Sequence, residues 1–356
     1  MKKLALLHQK INYTKRPVKF VIYAGISLRD IIVSLPFVAA LKQNLPHSLI
    51  YLILPKNLGW MVSLVREIDG ALYLEPNEEV SLLDSMRLYS FHVSVQFVPN
   101  LKLGFYFWLL RIPFRVGCGR TFSERLFFNI CPRKPREKKE YEWRLSFLNI
   151  FGLARNYVYP QVLVFSPKVA RPFFLFCSES MANGPSGLSL PQWLELAKRL
   201  KTSRPKLFLF VTTPPPHWEN LPHGIEFRYV SSWQAACEII SQAAMLFANI
   251  NEAAYLASLY QIPHVVAFQA QEGENLDRWF TLPLKEAPHQ ELYFIKVNFF
   301  NGCGEHDLEK LLLAYRSWLL ARRDARRKQR KKTKEFMKSI SPWLTWFNFK
   351  EGLHES

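Results

Sequence analysis

A chain of 356 residues is long enough for two domains of ordinary size, each with its own core. Hydrophobic residues at 49% and charged residues at 21% exclude a disordered chain, while a formal charge of +18 asks for an anionic partner. Five scattered cysteines without a CxxC pair argue against a disulfide framework or a zinc site, and they suit a reducing compartment.

The N-terminal stretch carries only a short apolar run, Leu4 to Leu7, too short for the apolar region of a secretory signal. No uninterrupted run approaches the ~20 apolar residues of a membrane span. The longest, Leu103 to Phe114, is broken by Arg111 and Pro113. Phe20 to Ala24 then predicts a buried strand, Gly25 to Arg29 a turn, and Asp30 to Lys42 a helix in which Pro36 should kink the axis or delay its regular start. Leu49 to Leu54 predicts a second strand, Gly59 to Glu67 a helix, Gly70 to Leu74 a third strand and Phe91 to Val98 a fourth. Lys102 to Leu110 reads as a very apolar helix, Arg115 to Gly117 as a return to the sheet, and a further helix runs to Phe151.

After Gly152 and a Pro-bearing segment the pattern restarts. Strands are expected at Phe173 to Cys177, Leu207 to Val211, Met245 to Ala248 and His264 to Phe268. Helices are expected at Pro191 to Leu200, Trp233 to Gln242 and Ala253 to Tyr260, and Asp307 to Leu320 reads as an amphipathic helix. Strand and helix in alternation with short links predict parallel sheets covered on both faces. The fold class is therefore α/β: two Rossmann-like domains with a cleft between them, at the carboxyl ends of the strands. The domains are placed at 1–158 and 159–320, with a basic and aromatic tail at 321–356.

Asp30, after the first strand and at the mouth of a helix, has two readings. It is a helix cap worth on the order of 1 kcal/mol, or a general base projecting into the cleft. In the tail, Arg322 to Lys338 hold ten Lys/Arg and two acids, a net of +8, followed by Trp343, Trp346, Phe347 and Phe349. That segment is a solvated extension or an anchor on anionic lipid. A nucleic-acid partner rests on charge alone, since no known reading module is present, and is not expected. The nine histidines form no pair with metal-ligand spacing, and no metal is expected.

Ser27-Leu28-Arg29-Asp30-Ile31-Ile32-Val33-Ser34-Leu35-Pro36 resembles the opening of glycosyltransferase family 9, the ADP-heptose:lipopolysaccharide heptosyltransferases, whose pattern runs roughly S-x-G-D-V-x-x-T-L-P. Further segments are similar in order and spacing: Phe91 to Phe97, Ile112 to Gly117, Trp143 to Gly152, Ser232 to Ile240, Met245 to Ala257 and Ile262 to Phe268. The resemblance covers roughly residues 18 to 285. It implies the GT-B arrangement and inverting transfer of a heptose-like sugar from an ADP-linked nucleotide-sugar donor, with Asp30 as base and no further cofactor. It also implies an anionic lipid A–Kdo acceptor and a cytoplasmic protein, peripheral on the inner face of the cytoplasmic membrane through residues 322–349.

On that pattern Ser27, Arg29, Asn249, Asn251, Glu252 and Tyr255 fall at the donor site, and Lys102, Arg115 and Arg120 are placed on the acceptor side. The sequence departs from the family at several of these positions. Arg29 replaces a glycine, Ile250 an aspartate, Glu252 a glycine, Tyr255 a histidine and Gln269 a glycine. No basic residue lies in Gly184 to Ser189, where the family has a lysine. The resemblance therefore also leaves room for a catalytically inactive GT-B protein that binds an acidic glycolipid or a partner enzyme. Glu252 would add negative charge beside the donor phosphate, and Arg29 is the nearby cation that would replace a lost phosphate contact.

Overall fold

The computed structural model describes residues 17–75, 79–118, 126–132, 139–163, 173–177, 189–200, 204–211, 225–249 and 251–267, and the single positions 313, 327, 331 and 335. Two five-stranded sheets organise it. The first joins β1 (Lys19–Tyr23), β2 (Leu49–Leu54), β3 (Gly70–Tyr73), β4 (Val93–Gln96) and β5 (Phe114–Gly117), in the order β3-β2-β1-β4-β5. The second joins β6 (Phe174–Cys177), β7 (Lys206–Val211), β8 (Glu226–Val230), β9 (Met245–Asn249) and β10 (His264–Ala267), in the order β10-β9-β6-β7-β8.

Every pairing is parallel. Read from the other edge, the second order repeats the first. In each sheet the first strand is central and the chain reverses direction of growth beside it, between β1 and β4 and between β6 and β9. Those are the topological switch points at which open parallel sheets bind ligands. The expected two Rossmann-like domains in a GT-B arrangement are what the chain forms.

Helix α1 (Leu28–Asn44) follows β1 and is buried without a break from Asp30 to Leu41. A helix apolar all round needs cover on every side. Its neighbours are α5 (Glu140–Leu145), the 3-10 segment Ser146–Phe151 and, from the second half, α8 (Glu252–Leu259). Each large apolar side chain so buried contributes roughly 1.5–3 kcal/mol relative to exposure. Pro36 neither delays the start of this helix nor ends it, and the element runs through to Asn44. In the second sheet Phe176 stacks between Phe208 and Phe247 at centroid separations of 4.7 and 4.9 Å, tying β7, β6 and β9 together face to face.

The remaining helices are α2 (Met61–Leu64), α3 (Glu79–Tyr89), α4 (Leu101–Leu109), α6 (Leu190–Arg199) and α7 (Trp233–Gln242). The expected helix over Gly59 to Glu67 is only the single turn α2, because Val65 leaves it to pair with Val162 in an antiparallel bridge. Sequence reading missed α3 and β8. The expected helix at Asp307 to Leu320 lies outside the described residues except for position 313. The tail is described only at Arg327, Lys331 and Glu335, which are helical and exposed.

Candidate active site

Gly25 sets the geometry at the end of β1. Its φ of 135° lies in the region closed to most side chains, and a Cβ there would stand 2.6 Å from Asp30 Oδ2. The chain then turns so that Ser27, in extended conformation, becomes the N-cap of α1. The cap is thus Ser27, and Asp30 lies one turn inside the helix, not at its cap. The two residues bond reciprocally. The Asp30 amide donates to Ser27 Oγ at 3.1 Å, and the Ser27 hydroxyl donates to Asp30 Oδ2 at 2.7 Å. Unlike the N3 acid of a capping box, which accepts from the N-cap backbone N–H, Asp30 accepts from the Ser27 hydroxyl.

The other carboxylate oxygen faces two guanidinium groups. Arg29 Nη2 stands 3.8 Å from Asp30 Oδ1, and Arg144 Nη2 stands 3.5 Å from the same atom. Sequence reading did not single out Arg144. It is fully buried, on α5, with its guanidinium over the Phe97 ring at 5.2 Å. Its Nη1 donates to the Asp30 carbonyl, the Ser34 hydroxyl and the Ala24 carbonyl, and its Nε donates to Glu140 Oε1 at 3.2 Å. Burial pulls the Arg144 pKa down, while Glu140 and then Asp30 hold it up. One side chain thus clasps the end of β1 and the first turn of α1 together. The signal available in the sequence was the i,i+4 pair Glu140/Arg144 inside an aromatic run.

Beside this cluster, Gln96 ends β4. Its amide nitrogen donates to the Asn100 carbonyl at 3.0 Å, while Gln96 Oε1 is buried with no hydrogen-bond donor among the described residues. Tyr23, the last residue of β1, hydrogen-bonds the Asn100 side chain. Its hydroxyl is pushed up in pKa by burial and by the Asp30 charge, with Asn100 opposing.

At the corresponding end of the second sheet, polar groups turn inward. Asn249 ends β9, is buried, and accepts from the Trp193 indole N–H at 3.1 Å. Asn251 is the N-cap of α8. It accepts from the Ala254 amide at 3.3 Å and donates to Cys177 Sγ at 3.3 Å. Glu252 opens α8, and burial pushes its carboxyl pKa up, against a smaller pull from its own backbone N–H. The charge expected there is correspondingly disfavoured.

Tyr255 lies one turn on, buried, with its hydroxyl pushed up to about 12 chiefly by burial. The Arg29 guanidinium, close to Tyr255, opposes that rise, while Glu252 and Asp30 add to it. Two departures from the family pattern, Arg29 and Tyr255, therefore meet each other across the two halves of the molecule.

Ser27, Arg29, Asp30, Glu252 and Tyr255 are in this way brought together. The acceptor-side residues are not drawn into the cluster. Arg115 bends back on its own domain, Nε donating to the Phe127 carbonyl at 2.7 Å and Nη1 to the Ile112 carbonyl at 2.6 Å. Burial lowers its pKa. Lys102 is exposed on the first turn of α4, and Arg120, like Ile250 and Gln269, lies outside the described residues. Among the described residues no three His, Cys, Asp or Glu side chains gather as a metal would require, and no helix is long and apolar enough to cross a membrane.

No protein-family model matches the sequence, and no curated protein matches it by sequence. The fold does have counterparts among solved structures. ADP-heptose LPS heptosyltransferase II of E. coli superposes with a TM-score of 0.65 at 18% identity, over 86% of this chain and 100% of that one. A family 9 glycosyl transferase of Veillonella parvula gives 0.68 at 13% identity, over 86% and 98%. The E. coli heptosyltransferase WaaC with ADP-2-deoxy-2-fluoro heptose gives 0.62 at 13% identity, over 72% and 91%. The chain has the two-domain fold of these heptosyltransferases, with Asp30 at the carboxyl end of its first strand.

Proposed function

We propose that the protein is a glycosyltransferase of the family 9 type. It transfers a heptose-like sugar from a nucleotide-sugar donor, ADP-linked, to an anionic lipid-linked acceptor of the lipid A–Kdo class. The observation that carries this reading is the Asp30 carboxylate. It is held at the switch point of the first sheet, with Arg29 reaching from beside it to Tyr255 on the helix that opens the corresponding site of the second sheet.

In the reaction Asp30 accepts the proton of the acceptor hydroxyl as that oxygen attacks the anomeric carbon, which inverts its configuration. The departing diphosphate takes the bonding electron pair. Its charge is met by the positive end of the α8 dipole and by the Arg29 guanidinium, so the step calls for no bound metal. Burial that favours a neutral Glu252 lessens repulsion beside the phosphate. The tail at 322–349 would hold the enzyme at the anionic inner face of the membrane, each Lys or Arg near the surface contributing about 1 kcal/mol.

Thermal shift with ADP-, UDP- and GDP-sugars, followed by turnover of Asp30→Asn, tests the reading. Stabilisation by one nucleotide sugar and loss of turnover in the variant are expected, and no stabilisation at millimolar donor would overturn it. Arg29→Met should weaken donor binding without unfolding the protein. A second reading, an inactive GT-B protein that binds a glycolipid or a partner enzyme, is favoured by one observation. Asn249 and Asn251 spend their side chains on Trp193, Cys177 and the α8 cap. That reading expects glycolipid binding with no donor binding.

A further inference from the structure

Helix α4 follows β4 and is docked by one face only. Leu103 and Phe107 are fully buried, and Gly104 lies against Phe127 and Phe128. The opposite face carries Leu101, Phe105, Trp108 and Leu109, which are 48, 40, 50 and 43% exposed. Their spacing of i, i+4, i+7 and i+8 places all four on one stripe. Phe105 stacks on Trp108 at 5.9 Å, and Phe127 meets both rings at 5.8 and 6.3 Å, with exposed Leu126 beside it. The aromatic cluster is therefore preformed on the surface, whereas most other Phe and Trp side chains among the described residues fill the cores.

Along the sequence that flanks this helix the charge is of one sign. From Ser85 to Ser123 the chain has no Asp or Glu and carries Arg87, Lys102, Arg111, Arg115 and Arg120. Lys102 is exposed at the start of the helix and Arg111 just beyond its end. A short apolar and aromatic helix face with cations at both ends fits a bilayer interface: the rings enter the headgroup boundary and the cations meet anionic headgroups. Self-association fits less well, because a second copy would bring the same positive charges face to face.

We propose that the outward face of α4 is a membrane-docking surface, seating Leu101, Phe105, Trp108 and Leu109 in the interface of an anionic lipid bilayer. The surface is separate from the tail and does not depend on the sugar-transfer reading, because lipid binding is measured without turnover. Its position suits an enzyme of lipid-linked substrates. Asn100 caps α4 and also hydrogen-bonds Tyr23, at the sheet end that carries Asp30.

The test is flotation of the full-length chain with vesicles of phosphatidylcholine and phosphatidylglycerol in roughly equal parts, at low salt and at about 1 M salt, where the Debye length falls to about 3 Å. High salt screens the tail and leaves the apolar contact. The double variant Phe105→Ser/Trp108→Ser should lose about tenfold or more of the salt-resistant binding. Phe105→Leu/Trp108→Phe should retain most of it. Leu101→Ser/Leu109→Ser is a second, independent lesion of the same face, with circular dichroism to verify folding. Unchanged salt-resistant binding in both serine variants overturns the proposal. So does a wild-type dimer that the serine variants dissociate while vesicle binding stays the same, which would assign the face to a second copy.

Discussion

The ends of the two sheets share a topology and differ in chemistry. At the end of β1 a carboxylate is surrounded by a hydroxyl and two guanidinium groups, each held by further partners. At the end of β9 two asparagines are committed to an indole, a thiol and a helix cap, and the one acid is pushed toward its neutral form. Two sheets with one strand order can thus keep a preorganised ionic cluster at one switch point and an inward-facing, hydrogen-bonded one at the other. Strand order sets where a site lies, and the few residues after each strand set what it can hold.

The largest break in this contrast should come from Arg144. Arg144→Met takes the guanidinium away from Glu140, buried beside it, and removes one donor each from the Asp30 and Ala24 carbonyls. Breaking a buried pair from one side costs about 3–5 kcal/mol, and urea unfolding should show a loss of that size. The double variant Arg144→Met/Glu140→Leu should recover part of it.

Asn249→Ala tests the other end. It leaves the buried Trp193 N–H without its acceptor, for a loss of about 1–3 kcal/mol. Donor affinity in the folded fraction should hardly change if Asn249 serves the core. A large loss of donor affinity with little loss of stability would put Asn249 back among the binding residues.

The smallest effect sharpens the comparison through pH. Glu252 has a folded pKa above the ordinary 4.5, so the native state holds its proton more tightly than the unfolded chain. Its contribution is fully favourable below the ordinary value and is lost as pH rises through the raised one. Glu252→Gln should flatten that part of the dependence of Tm on pH, and equal slopes in the two proteins would contradict it.

Much of the fold was legible in the sequence because most strands are short apolar runs closed by Pro, Asn or Gly. Leu49–Leu54 before Pro55 is an example. β8 was missed because it is an edge strand, Glu226–Val230, with an exposed, charged pattern that reads as loop. In α3 the apolar residues divide between faces, Leu82 and Met86 inward and Val80 and Leu88 outward, so no single stripe marks the helix. The site was legible as far as Asp30, whose place after the first strand depends on local turn chemistry. Arg144 was not: the i,i+4 pair with Glu140 marks a helix, but nothing local says that it reaches Asp30, 114 residues away in sequence. The contact of Arg29 with Tyr255 was likewise hidden. Each looked like an isolated loss, and the structure brings the two together.

The Arg29–Tyr255 contact also has a mechanical consequence. It spans the gap between α1 and α8, and Arg29 belongs at the same time to the ionic surroundings of Asp30. A hinge that parts the two helices moves Arg29 relative to one of these two groups. If Tyr255 lets go, Arg29 stays with the carboxylate; if Asp30 does, the cation leaves with the donor half. Aperture and charge balance then act as one variable, since parting α1 from α8 changes the cationic surroundings of the acid at the end of β1.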